Sequence, residues 1–289
     1  MDARSHHPLT ITSREQTAMI YNLSKLSAEL RHEIEASPKW RALFSKMPDT
    51  MLRLDGNAKT VKGNKKGFKT AILYMAPANM SGENLCPMAF IAQCDGACLF
   101  TAGRGAMTSV AMSRLRKALF FQQYQAEAVA MIKRELAGFE AKAQREGWTL
   151  LVRLNGTTDI RWENYGVMQA FPDIQFYDYT KIANRKGIPA NYDLTYSYSG
   201  VAKYLPYVNI AMRQGMRVAV VFRNRAIVDA MMADNETFMG LELVDGDDTD
   251  IRHIEPQGVV VALYAKGKGK YDQTGFVVDH APVELAIAA

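Results

Sequence analysis

The sequence predicts an α/β protein built on a parallel sheet, a partial or full TIM-like (β/α) barrel preceded by an N-terminal helical extension. Three observations predict it. From residue 70 onward, apolar runs of strand length alternate with helix-length patterns. Those runs, such as TAILYMA, RVAVVF and GVVVALY, are continuously apolar rather than alternating, as strands covered on both faces must be. At least six such runs lie in the last two hundred or so residues, which fits an open or closed barrel better than a small doubly wound sheet. Residues 1–69 form the helical and basic extension, and 70–289 the barrel-like domain.

In order along the chain, Ile20, Leu23, Leu26, Leu30 and Ile34 recur at helical spacing, so a helix is expected over 13–36, capped by Ser13 and ended by Pro38. Residues 37–69 are polar and basic, with a short helix around 40–46 and then a loop. The first strand is expected over 70–76, followed by a loop that carries all three cysteines. A long helix over 108–146 presents Val110, Leu115, Leu119, Phe120, Ile132 and Leu136 on one face, and Gly147 stops it. Further strands are expected over 149–154, 174–179, 192–198, 217–222, 241–245, 258–264 and 275–278, with helices over 164–170 and 200–214. No repeat of fixed period, dinucleotide fingerprint or phosphate loop is present; Gly103 and Gly105 match neither glycine pattern.

Composition narrows the function classes. A chain that is 48% hydrophobic and 22% charged has the apolar content for a sizeable core, which excludes a disordered chain. Three cysteines within one 13-residue window do not make a secreted disulfide scaffold. The first residues show no secretory leader, and no run approaches the roughly 18 apolar residues of a membrane span. A cytoplasmic protein with reduced thiols and no membrane contact is expected. The net charge of +5 is a mild excess, but its distribution is uneven. Lys59, Lys62, Lys65, Lys66 and Lys69 share one Gly-containing stretch, and Lys266, Lys268 and Lys270 alternate with glycines. Lys62, Lys65, Lys66, Lys266 and Lys268 are therefore candidate nucleic-acid contacts, solvated loops being the alternative.

The candidate chemical centre is Cys86, Cys94 and Cys98, spaced C-x7-C-x3-C. It follows the first strand of the parallel region, where ligands of such folds bind beyond the carboxyl ends of strands. Three soft thiolates suit an iron–sulfur cluster or zinc and leave one coordination position open. Packing of three buried thiols is the structural alternative.

The ends of later strands add amides, hydroxyls and charges: Asn155, Gly156, Thr157 and Asp159; Asp178, Tyr179 and Lys181; Ser197; Arg223; then Asp245 and Asp247. Any one of these suits a turn or cap. Together on one rim they have the composition of a polar ligand pocket. The 245–250 acidic run lacks the spacing of a calcium loop, so a turn is expected. Tyr177, Tyr179, Tyr192, Tyr196 and Tyr198 suit core packing or base stacking.

The run Cys86-Pro…Cys94…Ala97-Cys98 with Thr101-Ala-Gly-Arg-Gly105 resembles a group of bacteriophage proteins, the "gene product 88" family. So do Val152-Arg-Leu-Asn-Gly-Thr-Thr-Asp159, Gln175-Phe-Tyr-Asp-Tyr-Thr-Lys181 and Val244-Asp-Gly-Asp247, the likeness covering about residues 70–279. A phage origin would place the protein in the host cytoplasm. More distantly, the arrangement is similar to radical S-adenosylmethionine enzymes, in which a three-cysteine loop follows the first barrel strand. Their spacing is C-x3-C-x2-C, with an aromatic residue before the last cysteine where this chain has Ala97. That resemblance implies a [4Fe-4S] cluster on Cys86, Cys94 and Cys98. It also implies S-adenosylmethionine contacts from Asn155, Gly156, Thr157 and Asp159. The expected function is then a cluster-dependent enzyme acting on a nucleotide or nucleic acid, as in DNA-base modification. Asp178, Tyr179, Lys181, Ser197, Arg223, Asp245 and Asp247 would serve substrate. The alternatives are a zinc-containing, transglycosylase-like base-modifying barrel and a non-enzymatic nucleic-acid-binding accessory protein with a structural metal.

Overall fold

The computed structural model describes residues 18–55, 62–248 and 250–279. Eight strands among them form one sheet: β1 (Leu52–Leu54), β2 (Phe68–Leu73), β3 (Thr149–Arg153), β4 (Gln175–Thr180), β5 (Tyr192–Ser197), β6 (Val218–Phe222), β7 (Leu243–Asp245) and β8 (Val260–Tyr264). Their spatial order is β1-β2-β3-β4-β5-β6-β8-β7. Only β1 runs antiparallel to its neighbour; the other pairings are parallel. From β2 to β6 the chain steps across the sheet in one direction, so successive strand ends line up along one edge. The edge strands β1 and β7 are not paired with each other, so the sheet is open and a full barrel is not formed among these strands.

The helices are α1 (Ala28–Ala36), α2 (Pro38–Phe44), α3 (Ala89–Ala92), α4 (Thr108–Gln123), α5 (Gln125–Glu146), α6 (Val167–Ala170), α7 (Leu205–Arg213) and α8 (Arg225–Ala233). Several differ from the pattern-based expectation for identifiable reasons. The start of the expected first helix, at Ser13, lies outside the described residues, as does Lys59. Within the described part, helix begins only at Ala28, where Ser27 accepts from the Leu30 N–H. Ile20, Leu23 and Leu26 instead belong to a non-helical stretch packed into the core and tied to Gln123 through Asn22. Pro38 opens α2 as its first residue, where its missing N–H costs nothing. The single helix expected over 108–146 is two, broken at Tyr124 (φ −135°, ψ 55°), whose hydroxyl donates to the Ile20 carbonyl at 2.7 Å. Gly147 (φ 70°) stops α5 as expected. Three of these elements are absent from the pattern reading: β1, three residues long, α3, a single turn within the expected cysteine loop, and α8, capped by Asn224. The strand expected over 275–278 is reduced to a bridge between Phe222 and Val278.

One core takes Leu150, Val152 and Leu154 of β3 and its end, together with Phe176, Leu119, Ile132 and Leu136. Residues 21–52 join it through Tyr21, Ile34, Phe44 and Met51, so the N-terminal extension packs on the sheet domain. A second core gathers Tyr196, Val218, Val220 and Phe222 with α7 and α8. Successive strand side chains point to opposite faces, so Leu151 and Tyr177 pack separately with Ile251. That other face is covered by residues 250–257. Arg153 meets Asp250 at 2.5 Å there. Arg217 bonds Asp193 at 2.7 Å, Thr195, and the carbonyls of Glu255 and Pro256. Arg252 pairs with Glu255 at 2.7 Å.

Candidate functional site

The loop after β2 carries the cysteines at the carboxyl edge of the sheet. Asn84 Oδ1 accepts from the Cys86 N–H at 2.9 Å, which turns the chain inward at this residue. Cys86 Sγ accepts from the Ala78 N–H at 3.4 Å and donates to the Thr157 carbonyl at 3.7 Å. Cys94 follows the single turn of α3, which Gln93 ends in the left-handed region (φ 50°); its thiol approaches the Ala89 carbonyl at 3.9 Å. Cys98 Sγ accepts from the Phe100 N–H at 3.5 Å.

The turn after β3 is sewn onto this loop. Gly156 donates to the Leu73 carbonyl at 3.0 Å, and a Cβ at this position would lie 2.6 Å from that oxygen, so only glycine fits. Thr157 donates to the Met75 carbonyl at 2.6 Å, and the Asp159 N–H donates to the Leu85 carbonyl at 2.9 Å. Asn155 braces the turn: its oxygen accepts from Thr158 and Ile160, and its amide donates to the Ile160 carbonyl. Asn155, Gly156 and Thr157, expected to hold a cofactor, thus already use their polar groups to align β3 with the cysteine loop. Beneath them Asp178 accepts from the Leu154 and Asn155 N–H groups and from the Tyr192 hydroxyl. Burial pushes its carboxyl up to about 7, against the pull of Arg153 and the Asn155 amide.

The strand-end residues that face the cysteines are Asp159, Lys181 and Ser197; Tyr179 borders the same space, but its ring lies under Arg153 on the other face. With Cys86 and Cys94 they line a cavity of about 130 Å³. Lys181 is 8% exposed. Its ammonium donates to Ser197 Oγ at 2.9 Å, the Ser197 carbonyl at 3.1 Å and the Tyr198 carbonyl at 3.2 Å, and lies over the rings of Phe276 and Tyr204. All three of those acceptors are neutral, and among the described residues the ammonium forms no ion pair. Burial lowers its pKa, and the three cysteines and Asp159, when ionised, oppose that shift. Asp159 accepts from the Lys181 backbone N–H at 2.7 Å and from Thr180 Oγ1 at 2.8 Å, and its charge pairs with Arg185 at 3.6 Å. Arg185 also pairs with Glu163.

Arg114 approaches from α4. Its guanidinium lies over the rings of Tyr74 and Phe100, forms no ion pair among the described residues, and has Nη1 buried without a hydrogen-bond partner. Pattern reasoning missed Arg114, Arg185 and Phe276. A cation interrupting the apolar face of α4 is a faint signal for the first; the other two carry none in sequence.

All three cysteines are free thiols. Burial pushes the Cys86 thiol up to about 12 and raises those of Cys94 and Cys98, with Lys181 and, at Cys98, Arg114 pulling the other way. Among the described residues no three His, Cys, Asp or Glu side chains are gathered at metal-binding spacing. The donors themselves are three soft sulfurs on one loop beside two cations, a set that suits a thiophilic metal and not a hard one.

Residues 265–278 strap this region down. Gly267 (φ 55°) lies against Ala102 and Gly269 against the Ala97 carbonyl, while Thr274 donates to the Gln93 carbonyl. Arg223, expected in the pocket, instead clamps the strap, donating to the carbonyls of Gly269, Lys270 and Asp272 and pairing with Asp279. The basic and acidic segments meet: Lys62 donates to the Asp247 carbonyl at 2.7 Å, Lys66 pairs with Asp248 and Lys266 with Asp247. Asp245 pairs with Arg225 at 2.7 Å. Lys65 and Lys268 are exposed. No helix among the described residues is long and apolar enough to cross a membrane.

A family model described as gene product 88 matches residues 50–280. No curated protein and no solved structure matches the chain. The chain belongs to the gene product 88 family, a family of bacteriophage proteins.

Proposed function

We propose that this gene product 88 protein is a metal-dependent enzyme whose cysteines, Cys86, Cys94 and Cys98, hold an iron–sulfur cluster of the [4Fe-4S] type, with a nucleotide or nucleic-acid substrate. The observation that carries the reading is the shared cavity. Cys86 and Cys94 from the loop after β2 meet Lys181, Asp159 and Ser197 from the ends of β3, β4 and β5 in one space of about 130 Å³, and Cys98 lies on the same loop. Ligand sites of parallel α/β sheets lie at this edge.

Cys86, Cys94 and Cys98 would hold such a cluster as thiolates, and it would supply electron transfer and an open position for substrate or for a cofactor such as S-adenosylmethionine. The chain's own residues do the rest. The Ala78 and Phe100 amides donate to Cys86 and Cys98 and orient those sulfurs. Asp159, fixed by Thr180 and the Lys181 N–H, holds a carboxylate on the cavity wall. Phe276 and the strap cover Lys181 and limit water. Because burial keeps the thiols protonated, metal uptake releases protons and strengthens as pH rises.

Anaerobic reconstitution with iron and sulfide tests the proposal. About four irons per chain, with acid-labile sulfide, are expected for wild type. The triple Cys→Ser variant should bind none. Stoichiometric zinc with no iron uptake would replace the cluster by a zinc–thiolate site, and uptake that survives the triple variant would overturn the assignment.

A further inference from the structure

We infer that Lys181 and Arg114 are the counter-charges of an anionic metal–thiolate centre at Cys86, Cys94 and Cys98, and that they raise its reduction potential. The inference rests on the cluster reading above and goes beyond it, since it assigns two residues on the chain to the charge state of the centre.

Buried cations are normally matched by a carboxylate, because removing an unpaired charge from water costs several kcal/mol. Four arginines obey this, whereas Lys117 on α4 donates to the Met51 carbonyl and forms no ion pair among the described residues. Arg153 has Asp250, Arg217 has Asp193, Arg252 has Glu255, and Arg185 is shared by Asp159 and Glu163. Lys181 and Arg114 are the exceptions at the cysteine loop. The ammonium of Lys181 is held by one hydroxyl and two carbonyls, and by the faces of two rings. These contacts keep the charge in place without cancelling it. The guanidinium of Arg114 is stacked between Tyr74 and Phe100, the residue whose N–H bonds Cys98. Among the buried and half-buried groups, Lys181, Arg114 and Arg185 against Asp159 and Glu163 leave one positive charge in excess before any thiol ionises, with Asp95 exposed to solvent beside Cys94.

Three thiolates around a cluster core of charge +2 carry one net negative charge, which matches that excess. On one-electron reduction the centre becomes more negative, so nearby fixed cations favour the reduced form. The cations thus both stabilise the loaded site and raise its potential. They act through the field at the sulfurs, which makes them positioning rather than catalytic residues.

The test uses the reconstituted full chain as wild type, Lys181→Met, Arg114→Met and the charge-retaining Arg114→Lys. Midpoint potentials come from mediator-poised titration followed by electron paramagnetic resonance, and iron retention from loss to a chelator. Near-ultraviolet circular dichroism reports the fold of each variant. Both methionine variants should shift the potential downward and hold iron about 10- to 100-fold less tightly, with Arg114→Lys close to wild type. If Lys181→Met does not fold, the Arg114 pair decides the question. Wild-type potential and retention in both methionine variants overturn the counter-charge assignment alone and leave the cluster reading standing; this is also the result expected if the cations serve an anionic substrate. Failure of wild type itself to take up iron overturns both.

Discussion

The two buried charge clusters of this molecule are built on opposite rules. On the sheet face covered by residues 250–257, every large cation has its anion: Arg153 meets Asp250, Arg217 meets Asp193, and Arg252 meets Glu255. At the cysteine edge, Lys181 and Arg114 have none, and the groups beside them are thiols that burial keeps neutral. The first cluster is complete as folded, and its geometry fastens a covering segment to three strands. The second is incomplete in charge, and its donors are the ones a soft metal takes. On the covered face the buried charges are balanced; at the cysteine edge the unmatched cations lie beside thiols.

The largest effects should separate the two regions cleanly. Replacing Cys86, Cys94 and Cys98 by serine should abolish iron uptake while urea unfolding changes less than in Arg153→Met, because serine nearly matches cysteine in size and these loop thiols are not fully buried; a collapse of stability would make the cysteines structural. Arg153→Met should do the reverse. It strands Asp250 and should cost about 3–5 kcal/mol in urea denaturation, with iron binding per folded chain unchanged. Gly267→Ala should fall between, since a Cβ there lies 3.0 Å from Ala102 in a left-handed backbone. A loss of about 1–3 kcal/mol is expected, with weaker iron retention because the strap lifts from the loop.

A smaller effect concerns Asp178, which belongs to the balanced side. Its folded pKa is raised to about 7, above the roughly 3.9 of an unfolded chain. The folded state therefore holds a proton that the unfolded chain has released. Its contribution to stability is full below about pH 4 and is lost as pH rises toward 7. Asp178→Asn should flatten that part of the stability–pH curve. The smallest effect is expected from Lys66→Ala, an exposed pair with Asp248 at 3.9 Å. It should change stability by under about 0.5 kcal/mol; a large loss of nucleic-acid affinity from this one change would make the basic loop an interface rather than a partner of the acidic turn.

Strands β2, β3, β6 and β8 were legible because apolar runs such as VAVVF leave no amphipathic alternative; β4, β5 and β7 also fall within expected strands, although their runs carry polar residues. The loop position of the cysteines followed from them. The break at Tyr124 was not legible: neither glycine nor proline marks it, and it depends on a hydroxyl reaching Ile20, far away in sequence. The same limit applies to the pocket. Lys181 was visible as a strand-end cation, but that its acceptors would all be neutral is a fact of tertiary structure. Asn155 and Arg223 show the converse. Both have site-like chemistry at site-like positions, yet their hydrogen bonds are spent on Ile160 and on the strap.

The strap also imposes an order on biosynthesis. Cys98 leaves the ribosome well before Arg223, Phe276 and Asp279, which hold the cover in place. At typical synthesis rates of about 5–20 residues per second, that interval is on the order of 10–40 seconds. During it the thiols are uncovered and open to whatever delivers iron or oxidises sulfur. A centre on these thiols would be filled in that interval, and the strap, made after the cysteine loop, would act as its seal.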